Sequence, residues 1–308
     1  MNKTLIFGHK SPDTDSICSA LIMEDLERYL SKTDSATACR LGDLNKETSY
    51  ALNYFNVEAP MLIDTVQDGT EVILVDHNEF VQSANNIENA KITKVIDHHR
   101  ICGFQTAEPL FYMAQPVGCT ATILYEVYKT NGIEIKPHIA GLMLSAIISD
   151  TLLLKSPTTT MKETRIIDDL ANIAGVDYKV YGLDMLKAGT DLSDYTADGL
   201  INIDAKCVDM NGNKVKIAQV NTVDIEDVLK NQTELETAIN NTISNEGLDL
   251  FVFAITDIVN SNSEIIALGK RVDIVEKSFN VKLENNRAFL PGVVSRKKQM
   301  LPIMQENA

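Results

Sequence analysis

Aspartate and histidine recur together in four short clusters in the first half of the chain. The clusters occupy residues 8–16 (Gly-His-Lys-Ser-Pro-Asp-Thr-Asp-Ser), 76–78 (Asp-His-Asn), 97–100 (Asp-His-His-Arg) and 149–151 (Ser-Asp-Thr). Four of the five histidines of the chain lie in these clusters. Imidazole and carboxylate are the ligand mixture that divalent transition metals take. The clusters therefore predict a binuclear metal site.

A pair of metals indicates a particular chemistry. Two divalent cations about 3.5–4 Å apart can share a bridging hydroxide and clamp both ends of an in-line displacement, which suits phosphoryl transfer. In the first cluster, His9 and Asp13 can reach one metal, and Asp15 in the same extended loop can reach the other. In the third cluster, one imidazole can bind metal while its neighbour contacts the substrate, and Asp97 can fix the tautomer through a hydrogen bond.

Each cluster taken alone also has a structural interpretation. Residues 12–16 suit a turn in which Ser16 caps the following helix, and residues 97–100 suit an exposed helix end. Alternation in an extended segment would point His77 away from Asp76, which favours a supporting role for His77. His138 follows a proline far from any aspartate and is predicted to be an exposed residue at a helix start.

Short apolar runs place the clusters in a fold. Residues 5–7, 72–75 and 95–96 are rich in β-branched side chains and predict buried strands of a parallel sheet. His9, Asp76 and Asp97 follow these runs, so they lie at the carboxyl ends of strands, where open α/β sheets place their sites. Helical patterns at residues 16–30 and 120–128 alternate with the strands, which predicts an α/β domain with a mainly parallel sheet flanked by helices.

The segment before the fourth cluster is apolar on nearly every side. Residues 139–148 predict a buried helix that ends by presenting Ser149 and Asp150, with a strand as the alternative. A polar stretch around residues 187–196 without strong periodicity predicts a linker. The predicted organisation is a metal-binding domain at residues 1–188, a linker at 189–195 and a second domain at 196–308.

The second domain has its own alternation of elements. Residues 215–220, 250–258 and 265–268 predict strands, and residues 223–244 are mostly helical in pattern. A smaller α/β domain is expected there.

Composition limits the function classes. The 308 residues carry a formal net charge of -15 and the pI is near 4.8, which argues against partners such as nucleic acid or an anionic membrane. The five cysteines show no Cys-x-x-Cys spacing and predict free thiols. The chain has no signal-peptide core and no 18-residue apolar run, so a cytoplasmic protein is expected.

Charge counting shows that the clusters are insufficient for a polyanionic substrate. Four aspartates would be neutralised by two divalent ions, so further cations are needed to hold phosphates. The densest basic run is residues 295–299 (Ser-Arg-Lys-Lys-Gln). A guanidinium binds phosphate in a bidentate manner and a lysine acts as a point charge. A solvated patch or a nucleic-acid contact is the alternative for this run.

The chain resembles, from end to end, the manganese-dependent family II inorganic pyrophosphatases of the Asp-His-His phosphoesterase superfamily. Besides the four clusters, residues 116–122 (Pro-Val-Gly-Cys-Thr-Ala-Thr), 149–158 (Ser-Asp-Thr-Leu-Leu-Leu-Lys-Ser-Pro-Thr) and 295–299 carry the resemblance. It implies hydrolysis of pyrophosphate to two orthophosphates by a metal-bridging hydroxide, in a cleft between the two domains. It also implies two Mn²⁺ per subunit with Co²⁺ as a substitute, Mg²⁺ accompanying the substrate, and a homodimer formed through the N-terminal domain.

The resemblance further implies the residues of the site. Six would bind metal, with Asp76 bridging the two ions: His9 and Asp13 for the first, Asp15, His98 and Asp150 for the second. Four would contact the substrate: His99, which with Asp76 is expected to be catalytic, and Lys206, Arg296 and Lys297. The short segment at residues 59–70 has no room for a regulatory nucleotide-binding insert, so regulation by adenine nucleotides is not expected.

Two other functions also fit the clusters. One is a related phosphoesterase acting on short oligonucleotides, cyclic dinucleotides or polyphosphate. Such relatives carry a glycine-rich motif with histidine near the C-terminus, whereas this chain has no histidine after His138. The other is a non-catalytic metal or phosphate sensor, against which the intact ligand set argues.

Overall fold

The computed structural model of the chain describes residues 3–31 and 36–308. The chain divides into two compact units between Gly189 and Thr190, inside the polar stretch for which a linker is predicted. Each unit combines helices with a sheet of its own. The predicted α/β fold class, with a parallel sheet in the first part and a smaller second part, is confirmed.

The first unit contains a six-stranded sheet in which all neighbouring strands are parallel. Its strands are β1 (Thr4–Phe7), β2 (Ala36–Arg40), β3 (Met61–Leu62), β4 (Glu71–Val75), β5 (Lys91–Asp97) and β6 (Phe111–Ala114). Their order across the sheet is β3-β2-β1-β4-β5-β6. The order reverses between β1 and β4, and such a switch point opens a crevice at the carboxyl ends of the strands. The three predicted strands correspond to β1, β4 and β5.

Six α-helices lie in the described part of the first unit. They are α1 (Thr14–Leu30), α2 (Lys46–Tyr54), α3 (Thr120–Thr130), α4 (Pro137–Thr151), α5 (Met161–Ala174) and α6 (Tyr178–Gly189). The helices predicted at residues 16–30, 120–128 and 139–148 are confirmed as α1, α3 and α4. Helix α4 is buried along residues 139–148 because its apolar side chains leave no polar face for solvent.

The start of α1 corrects two details of the prediction. The helix begins at Thr14, and the Asp13 side chain caps it by accepting a hydrogen bond from the Ser16 backbone N–H at 3.0 Å. Ser16 is therefore wrong as the cap, because a cap needs the extended backbone that Asp13 has and a first-turn residue lacks. Asp15 likewise lies in the helix and not in an extended loop. The chain after β1 packs closely against the first turn of α1 because residue 8 is glycine. A Cβ on Gly8 would lie 2.0 Å from the Ser16 hydroxyl oxygen.

The second unit is built on a five-stranded mixed sheet. Its strands are β7 (Lys206–Met210), β8 (Asn213–Thr222), β9 (Leu250–Asp257), β10 (Asn262–Gly269) and β11 (Arg287–Pro291), in the order β11-β10-β9-β8-β7. Strands β8 and β9 are parallel, and the other neighbours are antiparallel. The helices are α7 (Ala197–Leu200), α8 (Ile225–Leu229), α9 (Gln232–Glu246), α10 (Asp273–Phe279) and α11 (Leu301–Glu306).

Strand β9 shows why this sheet is covered on both faces. Its alternate residues enter two separate apolar clusters: Leu250, Val252 and Ala254 lie in one, while Phe251, Phe253 and Ile255 lie in the other. A strand buried on both faces is apolar at successive positions and not only at alternate ones. This is the pattern that predicted a strand at residues 250–258.

Five strands have no counterpart in the sequence prediction: β2, β3, β6, β7 and β11. Each is short, and β3 consists of two exposed residues that pair with β2. Their extended conformation depends on the partner strand beside them, which a local pattern does not encode. In the described ranges, every helix is too short or too polar to span a lipid bilayer.

The packing of α4 gives a test of the fold. A Cβ on Gly141 would lie 2.4 Å from the aromatic ring of Phe55. We expect Gly141→Ala to lower the free energy of unfolding by about 1–3 kcal/mol, because overpacking outweighs the better helix propensity of alanine. Urea denaturation followed by circular dichroism measures the change. In a Phe55→Ala background the same substitution should cost less, and an equal cost in both backgrounds would contradict the packing argument.

Candidate metal centre

The first group of candidate ligands lies at the carboxyl ends of β1 and β4. His9 Nε2 lies 3.4 Å from Asp13 Oδ2 and 3.5 Å from Asp76 Oδ2. Two atoms that each bind the same ion at about 2.1 Å are themselves roughly 3–3.5 Å apart. The spacing of these three side chains therefore suits one divalent cation.

Asp76 also faces a second group of candidate ligands. His98 Nε2, after β5, lies 3.4 Å from Asp76 Oδ1 and 3.8 Å from Asp150 Oδ2 at the end of α4. The two oxygens of Asp76 thus point to different imidazoles, His9 and His98. Asp76 has a φ of 58°, a left-handed conformation that aspartate adopts more readily than most residues.

Asp15 lies on the inner side of the site. It is fully buried, and it accepts hydrogen bonds from Ser19 Oγ at 2.6 Å and from the Thr120 and Ala121 backbone N–H groups at 2.6 and 3.3 Å. The last two donors form the N-terminus of α3, which stabilises negative charge. Atoms of Asp15, Cys119 and Asp150 lie within 4.8 Å of one another, close enough to share an ion.

Both imidazoles of the site are oriented by backbone carbonyl groups. His9 Nδ1 lies 2.8 Å from the Lys10 carbonyl oxygen, and His98 Nδ1 lies 3.0 Å from that of Val117. A donating Nδ1–H leaves Nε2 with its lone pair toward the carboxylates. Histidines that bind metals commonly have their other ring nitrogen fixed in this way. The donor set therefore fits divalent cations.

The electrostatics support the same conclusion. Burial and the charge of Asp76 raise the pKa of Asp15 to about 7, and burial with Asp15 raises the pKa of Asp150 well above its ordinary value. Burial by itself would lower the pKa of His9 and His98. The carboxylates hydrogen-bonded to these imidazoles outweigh this effect and raise the pKa of His9 to about 11 and that of His98 to about 9. The site thus crowds negative charge that divalent cations would neutralise.

His99 differs from His98 in exposure and partners. Half of its side chain is exposed, and its Nδ1 lies 3.0 Å from Asp97 Oδ1. Asn78 Nδ2 donates to the other Asp97 oxygen at 2.7 Å. Asp97 raises the pKa of His99 and fixes its ring, so Nε2 is left for a ligand. His99 lines a cavity of about 210 Å³ together with Asp13, Asp76, His98, Gly118, Asp150 and Thr158.

The end of α4 holds Asp150 through an unusual turn. Residues 152–154 are three leucines with φ of 46°, 55° and 65°, a conformation that costs about 1–3 kcal/mol for each such residue. Hydrogen bonds stabilise the turn: the Leu153 N–H donates to the Ile148 carbonyl at 3.0 Å, and the Leu154 N–H donates to Thr151 Oγ1 at 3.1 Å. Strain of this kind is concentrated at functional sites.

Two histidines lie apart from the candidate ligands. His77 is buried, with Nδ1 2.9 Å from the Val75 carbonyl oxygen and Nε2 3.1 Å from Ser83 Oγ, so both ring nitrogens have protein partners. These partners favour the supporting role that the sequence predicts for His77. His138 is exposed in the first turn of α4, as the sequence predicted.

Several residues hold the site together through contacts that the sequence did not predict. Asn78 reaches Asp97 across 19 residues of chain, and Thr120 Oγ1 donates to Asp76 Oδ1 at 3.0 Å across 44 residues. Such partners carry no local signal, because nothing near Asn78 or Thr120 in the chain identifies the residue it will meet.

The predicted phosphate-binding residues lie in the second unit. Lys206 is exposed at the start of β7, and Arg296 and Lys297 lie in a π-helical turn before α11. The Arg296 guanidinium donates to Asp204 through Nη2 at 2.8 Å and Nε at 3.2 Å. Because Asp204 precedes Lys206 by two residues, this ion pair brings Arg296 to the beginning of β7. No local pattern in the sequence predicts this contact of Asp204.

Domain comparisons agree with the fold and the site. Residues 3–147 match the DHH family, N-terminal domain, and residues 183–307 match the DHHA2 domain. Together with the geometry above, these matches define a two-domain DHH-type protein with a candidate centre for divalent metals.

Similar proteins narrow the class to one family. A probable manganese-dependent inorganic pyrophosphatase from Exiguobacterium sp. strain AT1b is 56% identical, covering 100% of this chain and 99% of the relative. One from Staphylococcus carnosus is 57% identical, covering 98% of each chain. The chain therefore belongs to the manganese-dependent inorganic pyrophosphatase family.

Two solved structures are similar to this chain over nearly its full length. A Methanococcus jannaschii protein assigned to the family II inorganic pyrophosphatases is 42% identical with a TM-score of 0.61, covering 100% of this chain and 99% of that one. An exopolyphosphatase-related protein from Bacteroides fragilis has a TM-score of 0.51 at 15% identity, covering 99% of this chain and 92% of its own. At that identity it is similar in fold alone.

The pH dependence of the free energy of unfolding tests the supporting role of His77. Burial lowers its pKa from 6.5 to about 4. Between these values the unfolded chain binds more protons than the folded one, so this contribution to stability is present above pH 6.5 and is lost as the pH falls toward 4. The difference in free energy of unfolding between wild type and His77→Gln should shrink by about 3 kcal/mol over this window. Urea denaturation at several pH values measures it, and a constant difference would contradict the buried neutral imidazole.

Proposed function

We propose that this protein is a manganese-dependent hydrolase that converts inorganic pyrophosphate into two orthophosphates. The observation that carries the proposal is the convergence of two oriented imidazoles on the shared carboxylate of Asp76, with Asp13, Asp15 and Asp150 around them. The full-length similarity to proteins named as manganese-dependent inorganic pyrophosphatases supports both the metal and the substrate.

Two Mn²⁺ ions are proposed, bound by different sets that share Asp76. The first set is His9, Asp13 and Asp76; the second is Asp15, Asp76, His98 and Asp150. The ions would lower the pKa of water and neutralise phosphate charge. Co²⁺ is proposed as a substitute, and Mg²⁺ as the ion that accompanies the substrate. The oriented Nε2 atoms and the crowded carboxylates support these ligand sets.

His99 is proposed to contact the substrate directly and, with Asp76, to act in catalysis. Its Nδ1 is held by Asp97, so Nε2 is available to donate a hydrogen bond to a phosphate oxygen. This donor would become stronger as negative charge develops on the leaving phosphate. Asp97 and Asn78 keep the ring in that orientation.

Lys206, Arg296 and Lys297 are proposed to hold the phosphates. Asp204 engages Nε and Nη2 of Arg296, which leaves Nη1 to donate to a phosphate oxygen. Lys206 and Lys297 are exposed and carry compact charges. These cations would balance a substrate whose charge the metals do not fully neutralise.

Replacement of Asp76 tests the shared ligand. Asn tolerates the left-handed backbone at this position, so Asp76→Asn removes charge without adding strain. We expect turnover of pyrophosphate with Mn²⁺ to fall by more than about 100-fold, beyond the 10–100-fold loss typical of residues behind a ligand. Steady-state kinetics measure this, with the exposed carboxylate variant Asp43→Asn as the control. Near-normal turnover by Asp76→Asn would refute the shared-ligand assignment.

A substrate panel separates the proposed activity from its rivals. The full-length protein with Mn²⁺ should release orthophosphate from pyrophosphate, and it should act at least about tenfold more slowly on a dinucleotide, a cyclic dinucleotide and polyphosphate. A preference for a nucleotide would favour the related phosphoesterase. Tight binding of phosphate without turnover would favour the sensor.

We also propose that the protein is a homodimer formed through its first unit, located in the cytoplasm and without a nucleic-acid partner. Strand β6 is an edge of the sheet, and Phe111 on it is 49% exposed beside an apolar cavity lined by Met23, Leu26, Leu30, Ile96, Leu124 and Val127. Unpaired edges with apolar surroundings favour association.

The dimer proposal predicts the effect of a charge at this edge. We expect Phe111→Glu to shift the protein from dimer toward monomer, because a buried carboxylate without a partner is unfavourable. Light scattering after size-exclusion chromatography measures the mass. Phe289→Glu, at an exposed phenylalanine of the second unit, is the control, and an unchanged dimer in Phe111→Glu would refute the edge as the interface.

A further inference from the structure

Glu47 lies in the first turn of α2 and reaches two of the segments that carry the proposed metal ligands. Its Oε1 accepts hydrogen bonds from Thr14 Oγ1 at 2.7 Å and from Ser149 Oγ at 2.5 Å. Thr14 lies between Asp13 and Asp15, and Ser149 precedes Asp150. One carboxylate oxygen therefore joins the start of α1 to the end of α4, which are 135 residues apart in the chain.

The Glu47 side chain is itself held in place. Asn45 caps α2 by accepting the Thr48 N–H at 2.7 Å, which fixes the turn that carries Glu47. The hydroxyl of Thr48 lies 3.1 Å from that of Thr14. Gly189 at the end of α6 lies directly against Glu47, since a Cβ on Gly189 would come within 2.8 Å of the Glu47 Cβ and 2.9 Å of its Oε2.

The need for such a connection follows from the charges at the site. Carboxylate oxygens of Asp15 and Asp150 lie within 4.8 Å of each other, and Asp15 is fully buried. Repulsion between these carboxylates pushes the start of α1 and the end of α4 apart. A pair of hydrogen bonds to one acceptor opposes that separation and limits the positions of both segments.

We infer that Glu47 is a positioning residue of the metal centre, which sets the spacing of the Asp13–Asp15 segment and Asp150 through its bonds to Thr14 and Ser149. The inference rests on the proposed function, since it takes Asp13, Asp15 and Asp150 as metal ligands. Residues that orient ligands from behind change metal affinity by about 10–100-fold when they are replaced.

Mn²⁺ binding to the full-length protein tests this directly, without relying on turnover. Free Mn²⁺ is measured by electron paramagnetic resonance during titration of the chelator-treated protein. Glu47→Ala should weaken Mn²⁺ binding by about 10–100-fold. Glu47→Gln keeps an oxygen that can accept both hydroxyl hydrogens and should bind within about threefold of wild type. Glu24→Ala is the control, because Glu24 also accepts hydrogen bonds from a backbone N–H, that of Ala38, and from a side chain, that of Arg28, but neither donor is adjacent in the chain to a proposed metal ligand.

A second variant keeps the test decisive if Glu47→Ala folds poorly by circular dichroism. Ser149→Ala removes one of the two hydrogen bonds and should weaken Mn²⁺ binding by about 3–10-fold. In the double variant with Glu47→Ala, Mn²⁺ binding should weaken by less than the product of the two single effects, because both substitutions remove the same contact. Wild-type affinity in Glu47→Ala or Ser149→Ala would overturn the inference. Equal weakening by Glu47→Gln and Glu47→Ala would also overturn it, because charge alone would then be responsible. Failure of the wild type to bind two Mn²⁺ would instead refute the proposed function.

Discussion

Mutual repulsion among buried carboxylates is the constraint on which the first unit depends. Asp15 and Asp76 are almost completely inaccessible to solvent, and Asp150 lies beside them. Burying like charges together is unfavourable unless donors or cations surround them. The protein supplies donors from several directions: the N-terminus of α3 to Asp15, a threonine hydroxyl to Asp76, and two imidazoles between the groups. The negative charge that these donors do not balance favours divalent cations at this site.

The parallel sheet makes this concentration of charge possible. Because the strand order reverses between β1 and β4, the loops after these strands diverge and leave a crevice at their carboxyl ends. Asp76 enters the crevice directly after β4 in a left-handed conformation, and the candidate ligands after β1 and β5 meet it from either side. Helix α4 brings Asp150 from outside the sheet. The candidate metal ligands are thus positioned by the ends of strands β1, β4 and β5 and by the ends of helices α1 and α4.

The two units use charge in opposite ways. The first gathers carboxylates around Asp76, whereas the second presents Lys206, Arg296 and Lys297 in a chain with an excess of acidic residues. The Arg296 side chain is oriented by Asp204, much as the imidazoles are oriented by backbone carbonyls. His9, His98, His99 and Arg296 each have one part of their hydrogen-bonding capacity occupied by the protein and another part left for a ligand. This preorganisation lowers the entropic cost of binding.

The sequence by itself determined the residue types of the site, the strands and the buried helix that precede them, and the edge of the sheet to which they belong. These follow from local patterns, because apolar period and chain direction are written in neighbouring residues. It did not determine that Asp13 rather than Ser16 caps α1, that strands β2, β3, β6, β7 and β11 pair where they do, or that Asn78, Thr120, Asp204 and Glu47 hold the candidate site residues. Only the tertiary structure decided the strand pairs and these side-chain contacts, because each joins residues far apart in the chain and its partner is fixed by how the elements pack. The bond from the Ser16 N–H to Asp13 is local, but aspartate and serine suit a helix cap equally well, so the local sequence left the choice open.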